Sequence, residues 1–140
     1  MKKKAIIISI KGYKLSKKEK LLISNENPWG LILFKRNIKS IKQIQQLTSE
    51  IRKHARDKKL PIFLDEEGKK VSRITEMLSN RFSANYFGKL YEKDKKIATA
   101  VYKTYLKSLC HHLTKIGINF NTIPVLDVLR QNTHSIIGER

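Results

Sequence analysis

Cysteine is nearly absent from this chain: Cys110 stands alone among 140 residues. It has no internal partner, so nothing in the sequence points to a disulfide framework or an oxidising compartment. Prolines number only three, and 40% of residues are hydrophobic, which excludes a disordered chain. Long apolar runs are missing too. No stretch approaches the roughly 18 apolar residues needed to span a bilayer. Ala5-Ile6-Ile7-Ile8-Ser9-Ile10 follows the basic start Met1-Lys2-Lys3-Lys4. It is cut short by Lys11 and lacks a small-residue cleavage site, so it reads as a first strand rather than a signal peptide. The expected location is the cytoplasm, with no membrane partner.

Acidic residues are scarce, 12 against 30 Lys and Arg, giving a net charge of +18. Such an excess can neutralise phosphates. Here lysines outnumber arginines 23 to 7 and run along the whole chain. Base-reading and bidentate phosphate sites favour arginine. The aromatics, at 8%, form no base-stacking motif. The expectation is therefore a solvated lysine-rich surface. A basic α/β binding module for nucleic acid or another anionic polymer is the alternative. The length suits one core and is too short for two ordinary domains.

What is present alternates between strand-like and helix-like segments. Ala5–Ile10 predicts a strand. Ser16-Lys17-Lys18-Glu19 has the form of a capping box and opens a short helix that Asn27-Pro28 ends. Gly30-Leu31-Ile32-Leu33-Phe34 predicts a second strand. Ser40-Ile41-Lys42-Gln43 is a second capping box. The helix it opens places Ile41, Ile44, Leu47, Ile51 and Ala55 on one face. Pro61–Leu64 predicts a third strand. Residues 74–92 are the least regular, with Phe82, Tyr86 and Phe87 expected to tuck a loop or short helix against the fold. From Lys93 to Lys115 a long helix repeats Ile97, Val101, Tyr105, Leu109 and Leu113, and Gly117 suits its C-terminal cap. Residues 118–127 predict an irregular last strand ending at Asp127. This order implies parallel strands joined by right-handed crossovers. Both an open doubly wound sheet and about half of a (β/α)₈ barrel fit it.

The most informative run is Leu64-Asp65-Glu66-Glu67-Gly68-Lys69-Lys70-Val71-Ser72-Arg73. It follows the third strand, and parallel α/β proteins bind ligands at the carboxyl ends of their strands. A carboxylate there accepts hydrogen bonds from hydroxyls, and an arginine forks onto oxygen acceptors. These residue types suit a polyhydroxylated ligand such as a cell-wall sugar. Other reactive residues carry less. His111 and His112 are adjacent on a helix and project about 100° apart, so they cannot form a one-face metal pair. His134 reads as a solvated loop residue. Cys110 reads as a buried structural thiol, and Trp29 as packing at the strand starts. No metal or cofactor is expected.

Four segments together resemble glycoside hydrolase family 3, specifically its single-domain bacterial β-N-acetylhexosaminidases. Gly30-Leu31-Ile32-Leu33-Phe34-Lys35-Arg36-Asn37 is similar to the family's G-L-I-L-F-x-R-N. Asp65 to Arg73 resembles D-Q-E-G-G-R-V-x-R. Asn119 to Val128 resembles N-x-x-x-A-P-V-L-D-V, and Ser135 to Arg140 resembles its I-G-x-R segment. The resemblance implies a TIM (β/α)₈ barrel of which residues 1–140 form the N-terminal portion, about the first half of the strands. It implies removal of terminal β-linked N-acetylglucosamine from cell-wall fragments during peptidoglycan recycling. The family's sugar-binding residues map onto Asp65, Arg73 and Arg140, with Asp127 in a supporting role near the same rim. Its aspartate nucleophile and histidine acid/base lie beyond residue 140, so no catalytic residue is assigned here. The 140-residue chain alone is expected to be inactive and to need a missing C-terminal half, or a second chain, to close the barrel. As an isolated half-barrel it is expected to self-associate. Three departures stand out. Glu66 replaces glutamine, and Lys69 and Lys70 replace glycine and arginine. If the turn needs a positive φ at residue 69, the loop and Asp65 should shift.

Overall fold

Four parallel strands pair in chain order in the computed structural model, which describes residues 2–75, 77–78, 80–127 and 130–134. They are β1 (Lys4–Ile8), β2 (Pro28–Leu33), β3 (Ile62–Leu64) and β4 (Phe120–Asn121). Four α-helices connect them: α1 (Lys17–Glu26), α2 (Ile41–Ala55), α3 (Ala84–Lys93) and α4 (Lys95–Lys115). Sequential pairing of neighbours with helical crossovers is the winding of a barrel. The two faces of the sheet agree. Leu31, Leu33, Ile62 and Leu64 are fully buried and join Ile23 of α1, Leu47 of α2 and Leu113 of α4 in one core. A doubly wound sheet would bury both faces under helices. Here the opposite face carries Ile7, Ile32, Phe63 and Phe120 by register. Ile7 and Phe120 remain more than 40% exposed. The fold is α/β, a half-barrel with its helices outside and its inner face open.

Local chemistry sets the helix ends. Ser16 Oγ accepts from the Glu19 N–H and Glu19 returns to accept from the Ser16 N–H at 2.7 Å. At α2, Ser40 Oγ accepts from the Gln43 N–H. The return arm differs from expectation: Gln43 Oε1 accepts from the Lys39 N–H instead of that of Ser40. α4 ends in a Schellman turn. Gly117 N–H donates to Thr114 O and Ile118 N–H to Leu113 O, with Gly117 at φ +82°.

Several sequence expectations are refined or corrected. Of the loop or short helix expected within 74–92, the helix forms: Ser83 caps α3 by accepting from the Tyr86 N–H. α3 then packs on α4 through Phe87, whose ring lies 4.7 Å from Tyr102 and 5.0 Å from Tyr105. That contact turns α4 so that Ala98, Leu109 and Leu113 are buried, while Ile97 and Val101 are exposed. Ile41 is exposed as well, and Thr48 takes a place in the α2 face, donating to Ile116 O. Cys110 is exposed rather than buried. β4 is two residues long and stops well before Asp127.

Asparagine side chains supplement the backbone pairing at both ends of the short β4, where the Asn119 N–H also donates to Ile62 O. Asn119 Oδ1 accepts from the Ile62 N–H at 2.7 Å. Asn121 Oδ1 accepts from the Glu66 N–H while its Nδ2 donates to Glu66 O, both at 3.0 Å. The amide imitates a peptide group and carries the ladder past the end of β3. Among the described residues, no helix is long and apolar enough to cross a membrane.

Candidate functional site

Past the end of β3 the alternation of burial continues. Leu64, Glu66 and Gly68 are buried, and Phe63, Asp65 and Glu67 are partly exposed. A period of two is the signature of extended chain. It sends Glu66 toward the helix side and Asp65 to the same side as Phe63, at the carboxyl-end mouth of the open face.

Asp65 meets two partners there. Its Oδ1 accepts from the Thr122 hydroxyl at 3.0 Å, and its Oδ2 lies 3.9 Å from Arg73 Nη2. Thr122 follows β4 directly, so adjacent strand ends supply the first contact. The second is an ion pair longer than a hydrogen bond. Arg73 Nε is buried and has no hydrogen-bond partner among the described residues. The pair therefore keeps most of its capacity: carboxylate oxygens that accept and a guanidinium fork that donates.

Glu66 holds this arrangement from beneath. It is wholly buried. Its Oε2 accepts from the Arg73 N–H at 2.7 Å and the Ile74 N–H at 3.3 Å, and its Oε1 accepts from Asn80 Nδ2 at 3.0 Å. Asn80 Oδ1 in turn accepts from the Tyr105 hydroxyl at 3.1 Å. Burial raises the Tyr105 phenol above its ordinary range. The hydrogen bond from Tyr105 to Asn80 opposes this shift, and the negative charge of Glu66 reinforces it. Tyr105 thus stays a donor at neutral pH, which fixes the Asn80 amide with its NH₂ toward Glu66. A buried carboxylate with three N–H donors ties the ends of the 66–74 loop together.

The loop closes where Glu67 N–H donates to Val71 O at 2.8 Å. The positive φ falls on Gly68, at +130°, and a Cβ there would come within 2.0 Å of Phe82 O. Lys69 has no positive φ, and its N–H donates to Phe82 O at 3.0 Å. The turn needs its glycine at 68, which the sequence keeps, so lysine at 69 is accommodated and Asp65 sits beside Arg73.

The structure brings Asp65 and Arg73 together across the loop. Asp127 is exposed and six residues beyond the end of β4, so it does not close a strand at this rim. Arg140 and the whole of its Ser135–Arg140 segment lie outside the described residues. Trp29 packs its ring 5.7 Å from Phe63 and 6.0 Å from Phe120, at the start of β2 and away from the rim. Sequence reasoning missed Glu66, Asn80, Tyr105 and Thr122. The one available signal for Glu66 was the strand alternation carried past Leu64. Among the described residues, no cluster of three or more His, Cys, Asp or Glu could hold a metal ion.

The family described as glycosyl hydrolase family 3 N terminal domain matches residues 2–140. A beta-hexosaminidase of Xanthomonas campestris pv. campestris is 31% identical over 135 residues, 96% of this chain and 40% of that protein. A beta-hexosaminidase of Neisseria gonorrhoeae is 32% identical over 136 residues, 96% of this chain and 37% of that protein. The crystal structure of NagZ from Neisseria gonorrhoeae in complex with N-trifluoroacetyl-D-glucosamine superposes with a TM-score of 0.80 at 31% identity. The superposition covers 88% of this chain and 36% of that one. The chain spans about 40% of the length of the curated relatives it matches.

Proposed function

Because this chain belongs to glycosyl hydrolase family 3, we propose that it is the sugar-recognising N-terminal portion of a β-N-acetylhexosaminidase barrel. Its substrate is a terminal β-linked N-acetylglucosamine on cell-wall fragments, processed in the cytoplasm during peptidoglycan recycling. The observation that carries this reading is the Asp65–Arg73 pair at the mouth of the open face, 3.9 Å apart and largely unspent. Asp65 accepts from sugar hydroxyls, and Arg73 donates to hydroxyl or acetamido oxygens. Support for an N-acylated glucosamine comes from the Neisseria gonorrhoeae protein, whose structure was determined with N-trifluoroacetyl-D-glucosamine. Arg140 joins the same sugar in this reading, and Asp127 supports the rim from the loop beyond β4.

Catalysis needs groups that residues 1–140 do not supply. Glycoside hydrolysis uses a pair of acid and base groups set around the scissile bond, roughly 5–9.5 Å apart for carboxylates. Of the carboxylates in the loop, Glu66 is spent on three N–H donors. The nucleophile and acid/base come from the remainder of the barrel, which also covers Ile7, Trp29, Phe63 and Phe120. This family assignment favours the glycosidase over the basic-module alternative. The purified chain, assayed with a chromogenic N-acetyl-β-glucosaminide, is expected to show no turnover above buffer. Robust hydrolysis that disappears in Asp65→Ala would contradict the division of labour.

A further inference from the structure

The starts of β3 and β4 face away from the Asp65 rim. There α2 and α4 deliver the chain to adjacent strands, so their C-terminal ends lie together. Gln45 Nε2 of α2 donates to Lys115 O at 2.9 Å, and Thr48 donates to Ile116 O at 3.1 Å. Between the two helices runs a groove of about 660 Å³, within the size range of small-molecule sites. Its charged lining is Arg52, Lys53, Arg56, Lys58 and Lys115, with Asp57 as the one carboxylate among the described lining residues.

This is not the dispersed lysine surface found elsewhere on the chain. Asp57 is already engaged, accepting from Lys3 Nζ and from the Lys59 N–H. Arg52 makes one long hydrogen bond, Nη2 to Leu60 O at 3.4 Å, and feels the Asp57 carboxylate electrostatically, while its Nε is buried with no hydrogen-bond partner among the described residues. The side chains of Lys53, Arg56, Lys58 and Lys115 have no ion pair or hydrogen bond among the described residues. Arg56 is held at φ +53°, in the left-handed region, where it ends α2 and turns the chain into the groove. The plain alternative is that these cations only offset the carbonyl ends of α2 and α4. Two helix ends carry about one unit of negative charge together, so most of the positive charge stays uncompensated.

We infer that this groove binds a small phosphorylated ligand of the diphosphate class, at a site separate from the sugar rim. Two guanidinium groups offer forked donors to phosphate oxygens, and three lysines add point charges around them. The site needs no part of the open sheet face, because both of its walls are helices of this chain.

The test is calorimetric titration of the 140-residue chain with inorganic pyrophosphate at physiological salt. One saturable site per chain is expected. Arg56→Asn with Lys58→Gln, both exposed positions, should weaken it about tenfold or more. Lys17→Gln with Lys18→Gln removes the same charge from α1 and should leave affinity within about twofold. Arg52→Lys keeps the charge but loses the fork, and should weaken binding measurably on its own. Binding that never saturates, or equal loss in both double variants, would reduce the effect to diffuse charge and overturn the site. Displacement of pyrophosphate by lower concentrations of a short DNA duplex would also overturn it, assigning the groove to nucleic acid.

Discussion

Glu66 ties down the loop that sets Arg73 opposite Asp65, although it belongs to neither side of that pair. Glu66 stands at one end of the loop, and its three N–H donors, all buried or partly buried, stand at the other end (Arg73 and Ile74) and beyond it (Asn80). Glu66→Leu strands them and should cost about 3 kcal/mol or more in urea unfolding. Glu66→Gln should cost less than about 1 kcal/mol. Its carbonyl can keep both backbone N–H groups, and its NH₂ can face Asn80 once that amide turns over and donates to the Tyr105 oxygen. Equal losses for the two variants would mean that the network does not organise the loop. At this scale the sequence was partly legible. Asp65 and Arg73 stand out by residue type at a strand end. Three consecutive acids, however, do not declare which is buried, and Asn80 and Tyr105 come from elements with no local link to the loop.

Elements were legible where a cap or a period is local. The serine hydroxyls of both caps and the glycine after α4 behave as their sequences indicate, while the full capping box forms at Ser16 and not at Ser40. Gly117 combines two constraints: φ +82°, and a space in which a Cβ would lie 2.2 Å from Thr48 Oγ1. Gly117→Ala should therefore lower stability by about 1–3 kcal/mol, read as a fall in Tm with the unfolding slope unchanged. A loss under about 0.5 kcal/mol would show that the α2–α4 contact yields easily. The elements that the sequence placed only loosely share a cause. α3 lacks a long apolar period, and its Phe87 is buried only because Tyr102 and Tyr105 stand on α4. The same contact rotates the buried stripe of α4 away from Ile97 and Val101. β4 is held by asparagine amides, which read as loop residues in a sequence.

At the scale of the whole molecule, the open face is the dominant feature. Ile7, Trp29 and Phe120 are each at least 40% exposed, and the three aromatic rings Trp29, Phe63 and Phe120 touch in one cluster. In the proposed reading, this apolar surface is the interior of a barrel that further strands close. Element order alone left a half-barrel and a doubly wound sheet both open, and the family resemblance favoured the barrel. The choice against a doubly wound sheet required the faces, which only the register and the helix packing reveal. The most direct test is a chimera in which this chain replaces the matching 136-residue segment of the Neisseria gonorrhoeae beta-hexosaminidase. Turnover of a chromogenic N-acetyl-β-glucosaminide is predicted for the chimera, falling about tenfold or more in its Asp65→Ala and Arg73→Ala variants. A folded chimera without turnover, or one indifferent to both substitutions, would contradict the assignment of this chain as the sugar-recognising part of the barrel.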